Sequence, residues 1–218
     1  MKLKHFIDIH KGLNSIFILS LMCFYNSWDN LIAWIYLSLH GTYGFLWITK
    51  SKFFPDKQWE NKTSIWYGLF IWFGLSLYWI APYLIITQKS ILPFSISIHP
   101  QYGLSPVYIF FCITLYVLGI FLHFASDMQK YINLKLNPGH LIQDEMFKSV
   151  RNTNYLGELF IYLGFSLLAA DWVALFALFF FIGYIWVPNM IKKDKSLSRY
   201  PEFGEYKKKS YRFIPFIY

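Results

Sequence analysis

Apolar residues gather into six runs along this chain. They cover residues 13–25 (extendable through Trp28), 31–48, 64–87, 106–124, 155–170 and 172–190. A helix needs about 20 apolar residues to cross ~30 Å of hydrocarbon. The pattern therefore predicts an all-α, polytopic membrane protein of about six transmembrane helices. The first and fifth runs are the weakest spans, and both predict tight hairpins with their successors, through residues 26–30 and through Asp171. Pro82 should kink the third run or end it early, because proline lacks the N–H of the helical ladder. Polar residues concentrate in two pieces, the segment 125–154 and the tail 191–218. A water-soluble ligand should sit there.

Composition agrees with this pattern. Hydrophobic residues make up 56% of the 218 and aromatics 22%, while 15% are charged, against about 25% in an average soluble protein. Disordered, collagen-like and disulfide-stapled chains are excluded. Cys23 and Cys112 both lie in apolar runs and supply neither a disulfide framework nor a metal-ligand pair. No small-residue cleavage site closely follows the first run, which reads as a retained helix rather than a signal peptide.

The net charge of +8 is spread between the runs rather than gathered in one patch. That favours membrane topology over nucleic-acid binding. Three lysines precede the first run, four lie in 49–63, four basic residues in 125–154 and eight in the tail, against Lys89 alone on the other side. Nineteen against one places both termini in the cytoplasm by the positive-inside rule, with the polar C-terminal region on the cytoplasmic side of a bacterial inner membrane or an endoplasmic reticulum.

Where the fourth run passes into the segment 125–154, His123 and Asp127 share a helix face just before Lys130 and Tyr131, and Asn137-Pro138-Gly139-His140 is a turn by composition. Lys130, Lys135, Lys148 and Arg151 could supply charge for a phosphorylated ligand, arginine by a two-pronged contact. Arg151, Asn154, Tyr155 and Glu158 project to one side of the next helix start. Asn154 is a candidate cap. Glu158 lies one turn inside an apolar run, where a carboxylate is expensive unless paired. It is a site candidate, and the alternative is an Arg-paired brace. No GxGxxG, Walker, nucleophile-elbow or HExxH motif appears.

Asp127, Pro138-Gly139, Asn154-Tyr155-Leu156-Gly157-Glu158 and the closing Phe213-Ile214-Pro215-Phe216 together resemble the C-terminal domain of steroid 5-alpha-reductases and the membrane sterol reductases. The tail, with Lys193-Asp194 and Phe203-Gly204-Glu205-Tyr206, is similar to theirs. The resemblance covers about residues 120–218 of what reads as a single membrane domain, and leaves 1–119 as N-terminal helices on the substrate side. It implies an NADPH-dependent reductase without a Rossmann fold, acting on a lipid-like enone or alkene that enters from the bilayer. It also implies cofactor contacts from Asn154 and Glu158, and carries Asp127, Asp194 and Tyr206 over as further cofactor-binding residues. The family's substrate-side acid and tyrosine have no identifiable counterparts in 1–119, and His140-Leu141-Ile142 stand where the family often has aromatic and Arg residues. The isoprenylcysteine carboxyl and phospholipid methyltransferases are also similar, and would imply S-adenosylmethionine. Their stretch usually carries His-Pro where this chain has Asn-Thr before Asn154. A membrane scaffold with a degenerate site is a third reading.

Overall fold

The computed structural model describes residues 1–89, 91 and 103–218, and among these it contains helices and no strand. The main helices are α1 (Leu3–Phe24), α2 (Leu31–Phe53), α3 (Ile65–Thr87), α4 (Pro106–Leu136), α5 (Thr153–Ala169), α6 (Trp172–Leu197) and the short α7 (Phe203–Lys209). Among the described residues five of them, α1 to α4 and α6, are long and apolar enough to cross a membrane. The fifth apolar run forms α5 with 17 residues, about 26 Å at 1.5 Å per residue, short of a full span. Trp66, 82% exposed on α3, typifies the apolar surface presented to lipid. The protein is a multi-pass integral membrane protein.

Side chains from the preceding polar residues start several helices. Asn30 accepts the Ala33 N–H at 3.1 Å, Ser64 that of Tyr67 at 3.1 Å, and Asp171 that of Val173 at 2.8 Å. The last of these makes the α5–α6 hairpin, in which buried Ala170 takes a left-handed φ of +47°. Pro82 does not end α3. The helix passes through a 3₁₀ turn at Leu77–Trp79 and continues. The turn contains Tyr78, whose carbonyl loses its i+4 partner to the proline ring. Pro188 acts similarly in α6, where a π-helical segment at Ile182–Trp186 lies just before it.

The chain forms two compact units. One is Met1–Thr114 with Leu163–Leu178, the other Leu115–Tyr162 with Phe179–Tyr218.

In the first unit α1 packs on α2 and α3. Glycine permits the approach: a Cβ on Gly44 would lie 2.3 Å from the Lys11 carbonyl, and one on Gly41 2.6 Å from Ser15 Oγ. The helix α1 begins ten residues before its apolar run. Its polar residues find tertiary partners there. Asp8 accepts from Ser51 at 2.7 Å. Lys11 is 4% exposed, with Nζ 4.5 Å and 5.0 Å from the Tyr43 and Trp47 ring centres. Lys2 pairs with Glu60 at 2.6 Å, Lys4 pairs with it too, and Lys50 pairs with Asp56 at 2.9 Å.

In the second unit the tail folds back on the segment before α5. Val150 and Tyr211 form a parallel bridge, with Arg151 N donating to Tyr211 O and Tyr211 N to Ser149 O, both at 2.8 Å. Phe203, Tyr206 and Phe213 are buried.

Candidate functional site: a cationic cavity behind the C-terminal clasp

The site is built where α4 and α5 meet. A Cβ on Gly157 would lie 2.4 Å from His123 N, and one on Gly119 2.7 Å from Gly157 O. Only glycine permits this approach, and it brings His123 Nδ1 within 3.1 Å of the Asn154 carbonyl, to which it donates. The other ring nitrogen of His123 lies 3.7 Å from Asp127 Oδ2, and Lys130 Nζ lies 3.5 Å from Asp127 Oδ1. His123, Asp127 and Lys130 thus form one polar stripe toward the end of α4.

The following loop turns at Pro138-Gly139, where Gly139 takes the φ of +88° that such a turn asks of glycine. Gln129 holds the loop from the helix, donating to Asp144 O and accepting from Met146 N, both at 3.0 Å. Thr153 Oγ1 donates to Val150 O at 2.9 Å and also contacts Met146 O.

Arg151 is the knot of the clasp. It grips Asp194 with two prongs, Nε to Oδ1 and Nη2 to Oδ2, each 3.2 Å. Its Nη1 donates to the carbonyl and hydroxyl of Ser210. Asp194 Oδ2 also accepts from Arg212 Nε at 2.8 Å. Lys193 Nζ donates to Arg151 O and Asn152 Nδ2 to Arg212 O, both at 2.8 Å. The Tyr206 hydroxyl donates to Phe147 O at 2.5 Å, and burial pushes its phenol well above the usual range.

Behind this clasp lies a cavity of about 160 Å³ lined by Lys130, Leu134, His140, Ile142, Phe147, Arg151, Lys193, Leu197, Arg199, Tyr200 and Tyr206. Four cations and a histidine face it, and no carboxylate does. Its volume is below the roughly 300–1,000 Å³ of a whole small-molecule site. It suits one anionic end of a larger ligand. Asn154 adds a second feature: its Oδ1 is buried and has no hydrogen-bond partner among the described residues.

Of the residues singled out from the sequence, the cavity brings together Lys130, Arg151 and Tyr206, with Asp194 holding Arg151 from behind. Lys148 instead lies in a separate groove with Asp144, Glu145, Glu202 and Glu205. Lys135 closes the last turn of α4, 5.8 Å from the Tyr131 ring centre. The Tyr155 ring tilts against Trp186 at 5.8 Å. Glu158 is half-buried on α5. Two local readings need correction. Asn154 does not cap α5: the helix starts at Thr153, so Asn152 holds the preceding position and Asn154 is inside the first turn. And Arg151 pairs with Asp194, 43 residues away, rather than bracing Glu158. His140, Lys193, Arg199 and Tyr200 were not among the site candidates. The signal for three of them was the interruption of a basic tail by aromatic and turn residues.

The profile of the family described as 3-oxo-5-alpha-steroid 4-dehydrogenase matches residues 99–218. That is more than half of the chain, and the chain belongs to this family. No curated protein matches it.

Proposed function

We propose that this member of the family is an NADPH-dependent membrane reductase of a double bond in a lipid-like substrate, a steroid or another enone. The observation that carries this reading is the carboxylate-free ring of Lys130, Arg151, Lys193 and Arg199 around the cavity. Such a lining recognises phosphate groups without a glycine-rich loop. NADPH, when bound, supplies the hydride. The chain's residues bind and orient it: the cations and the Tyr200 and Tyr206 rings take the phosphate-bearing end. Asn154 Oδ1 offers its lone pairs to a carboxamide N–H. Glu158, one helical turn further along α5, accepts from the same end of the ligand, which offsets the cost of a carboxylate in an apolar helix. Asp127 and Asp194 act indirectly, through Lys130 and Arg151. Lys135 and Tyr155 stand at the margin of this assignment.

Titration of detergent-purified protein with thermal stability as readout tests it, since a ligand that binds the folded state raises its melting temperature. NADPH is expected to stabilise the protein, and NADH less. Stabilisation by S-adenosylmethionine alone would transfer the chain to the methyltransferase reading. Glu158→Gln and Asn154→Ala should insert and fold but lose most NADPH binding. Unchanged affinity in both would defeat the assignment of α5.

The charge distribution supports both termini in the cytoplasm, with α5 completing a sixth crossing despite its length. Reporter fusions after Lys62 and after Tyr218 should read cytoplasmic and one after Lys89 should not. Opposite signals from the first two would leave α5 outside the set of crossings.

A further inference from the structure

The first unit contains buried polar atoms that this reading does not use, among them one on His10 and one on Asn14. His10 and Asn14 stand four residues apart on α1, share a face, and are 2% and 1% exposed. Their neighbours fix what each atom offers. The Ser76 hydroxyl donates its only proton to the Trp72 carbonyl at 2.9 Å. Its contact with His10 Nε2 at 3.5 Å therefore needs the proton on the nitrogen. His10 Nδ1 is left presenting a lone pair. Trp79 Nε1 donates to Asn14 Oδ1 at 2.8 Å, which sets the orientation of the amide and leaves Nδ2 as a donor. Neither His10 Nδ1 nor Asn14 Nδ2 has a partner among the described residues. One asks for a donor, the other for an acceptor. A hydroxyl is both on a single oxygen. A ketone oxygen would satisfy Asn14 and leave His10 Nδ1 without a donor.

We propose that His10 and Asn14 form a binding site for the hydroxyl group of a membrane-soluble alcohol. The surroundings agree with that class of ligand. Trp79 is stacked between the His10 ring at 4.7 Å and Phe17 at 4.1 Å, and Trp72 stands edge-on to His10 at 5.3 Å. The polar pair is thus set among aromatic rings. The outer faces of α1 and α3 expose Ile16, Phe70 and Phe73, so a ligand approaching these helices does so through acyl chains. An unsatisfied amide at that depth is costly, and a hydroxyl meeting both atoms removes the cost. The inference uses the first unit alone and is independent of the cofactor assignment.

The test compares a saturated sterol (cholestanol), its ketone (cholestanone) and the parent hydrocarbon (cholestane) on the detergent-purified full chain, by thermal stability. None offers a double bond between carbons, so turnover plays no part. Hexadecanol against hexadecane repeats the comparison on a linear skeleton. The alcohol is expected to bind about tenfold more tightly than the hydrocarbon, the worth of roughly one hydrogen bond, with the ketone between them. Asn14→Leu should abolish the preference. His10→Phe is the second variant, should the first fail to fold. Equal affinity for alcohol and hydrocarbon on both skeletons would overturn the proposal and leave a buried water as the partner of both atoms. A preference that survives in a folded variant would overturn it as well. NADPH titration of the same preparation reads the reductase assignment separately, so either can fail without the other.

Discussion

In the first unit Glu60, Asp56 and Asp8 each meet a partner of their own. Lys2 and Lys4 serve Glu60, Lys50 serves Asp56, and Ser51 serves Asp8. The second unit is arranged the other way. One carboxylate, Asp194, serves both Arg151 and Arg212, and the charged side chains lining the cavity beside them, Lys130, Arg151, Lys193 and Arg199, are all cationic. Both units bury polar groups, so burial by itself does not mark the ligand site. The local balance of charge does. Where acids and bases cancel, the groups hold the fold. Where cations remain in excess around a cavity, an anion from outside completes the arrangement in the proposed reading.

The harshest way to break this comparison is to remove the shared carboxylate. Asp194→Asn leaves two guanidinium groups with a neutral partner. Breaking a buried ion pair costs about 3–5 kcal/mol, so the melting temperature in detergent should fall steeply and the tail should become sensitive to protease. An unchanged melt would mean that the backbone bridge at Val150 and Tyr211 holds the tail unaided.

Next in size is the helix crossing. Gly157→Ala puts a methyl group 2.4 Å from His123 N, an overpacking of about 1–3 kcal/mol. Gly204→Ala meets nothing within 4 Å and serves as the control, its melt close to that of the parent.

Arg199→Gln sharpens the contrast between holding the fold and holding a ligand. Among the described residues the side chain of Arg199 hydrogen-bonds to Ser196 and Tyr200, at the surface. Its loss should leave the ligand-free melt unchanged while NADPH affinity falls about tenfold, in the range of one charge-assisted hydrogen bond. A melt that drops with no change in affinity would put Arg199 on the structural side of the comparison.

Tyr206→Phe has the smallest effect, about 1 kcal/mol for a lost hydrogen bond. Its pH dependence is diagnostic. Burial raises the folded-state pKa of this phenol, so the folded protein keeps the proton that the unfolded chain releases near pH ~10. The contribution is fully present below that pH and declines as pH rises through about 10 toward the higher folded value. Melting curves of the parent should show this extra decline, and those of Tyr206→Phe should lack it.

Hydrophobic runs made the all-helical membrane fold legible from the residues alone, and Asp171 and Pro82 marked real features because turn and proline chemistry act locally. The early start of α1 was not legible. A helix carrying Lys4, Asp8, His10 and Lys11 looks unfavourable until Ser51, Tyr43, Trp47 and Glu60 are brought to it from later in the chain. The same limit applies to the site. Lys130 and Arg151 stood out in a polar segment, but the partner of Arg151 and half of the cavity wall come from the tail, more than forty residues on. The start of α5 was misplaced by two residues because Thr153 and Asn154 are adjacent polar candidates, and only the position of Asn152 relative to the first helical hydrogen bonds separates them.

The clasp also sets an order of events. Asn152 donates to the carbonyl of Arg212, sixty residues later in the chain. At about 5–20 residues per second of synthesis, that is a delay of about 3–12 s. During that interval α4 and the start of α5 exist without the tail that encloses Arg151. The cationic wall is therefore assembled last. For those seconds Arg151 is an uncovered positive charge on a nascent chain, open to whatever polyanion or lipid headgroup comes within reach.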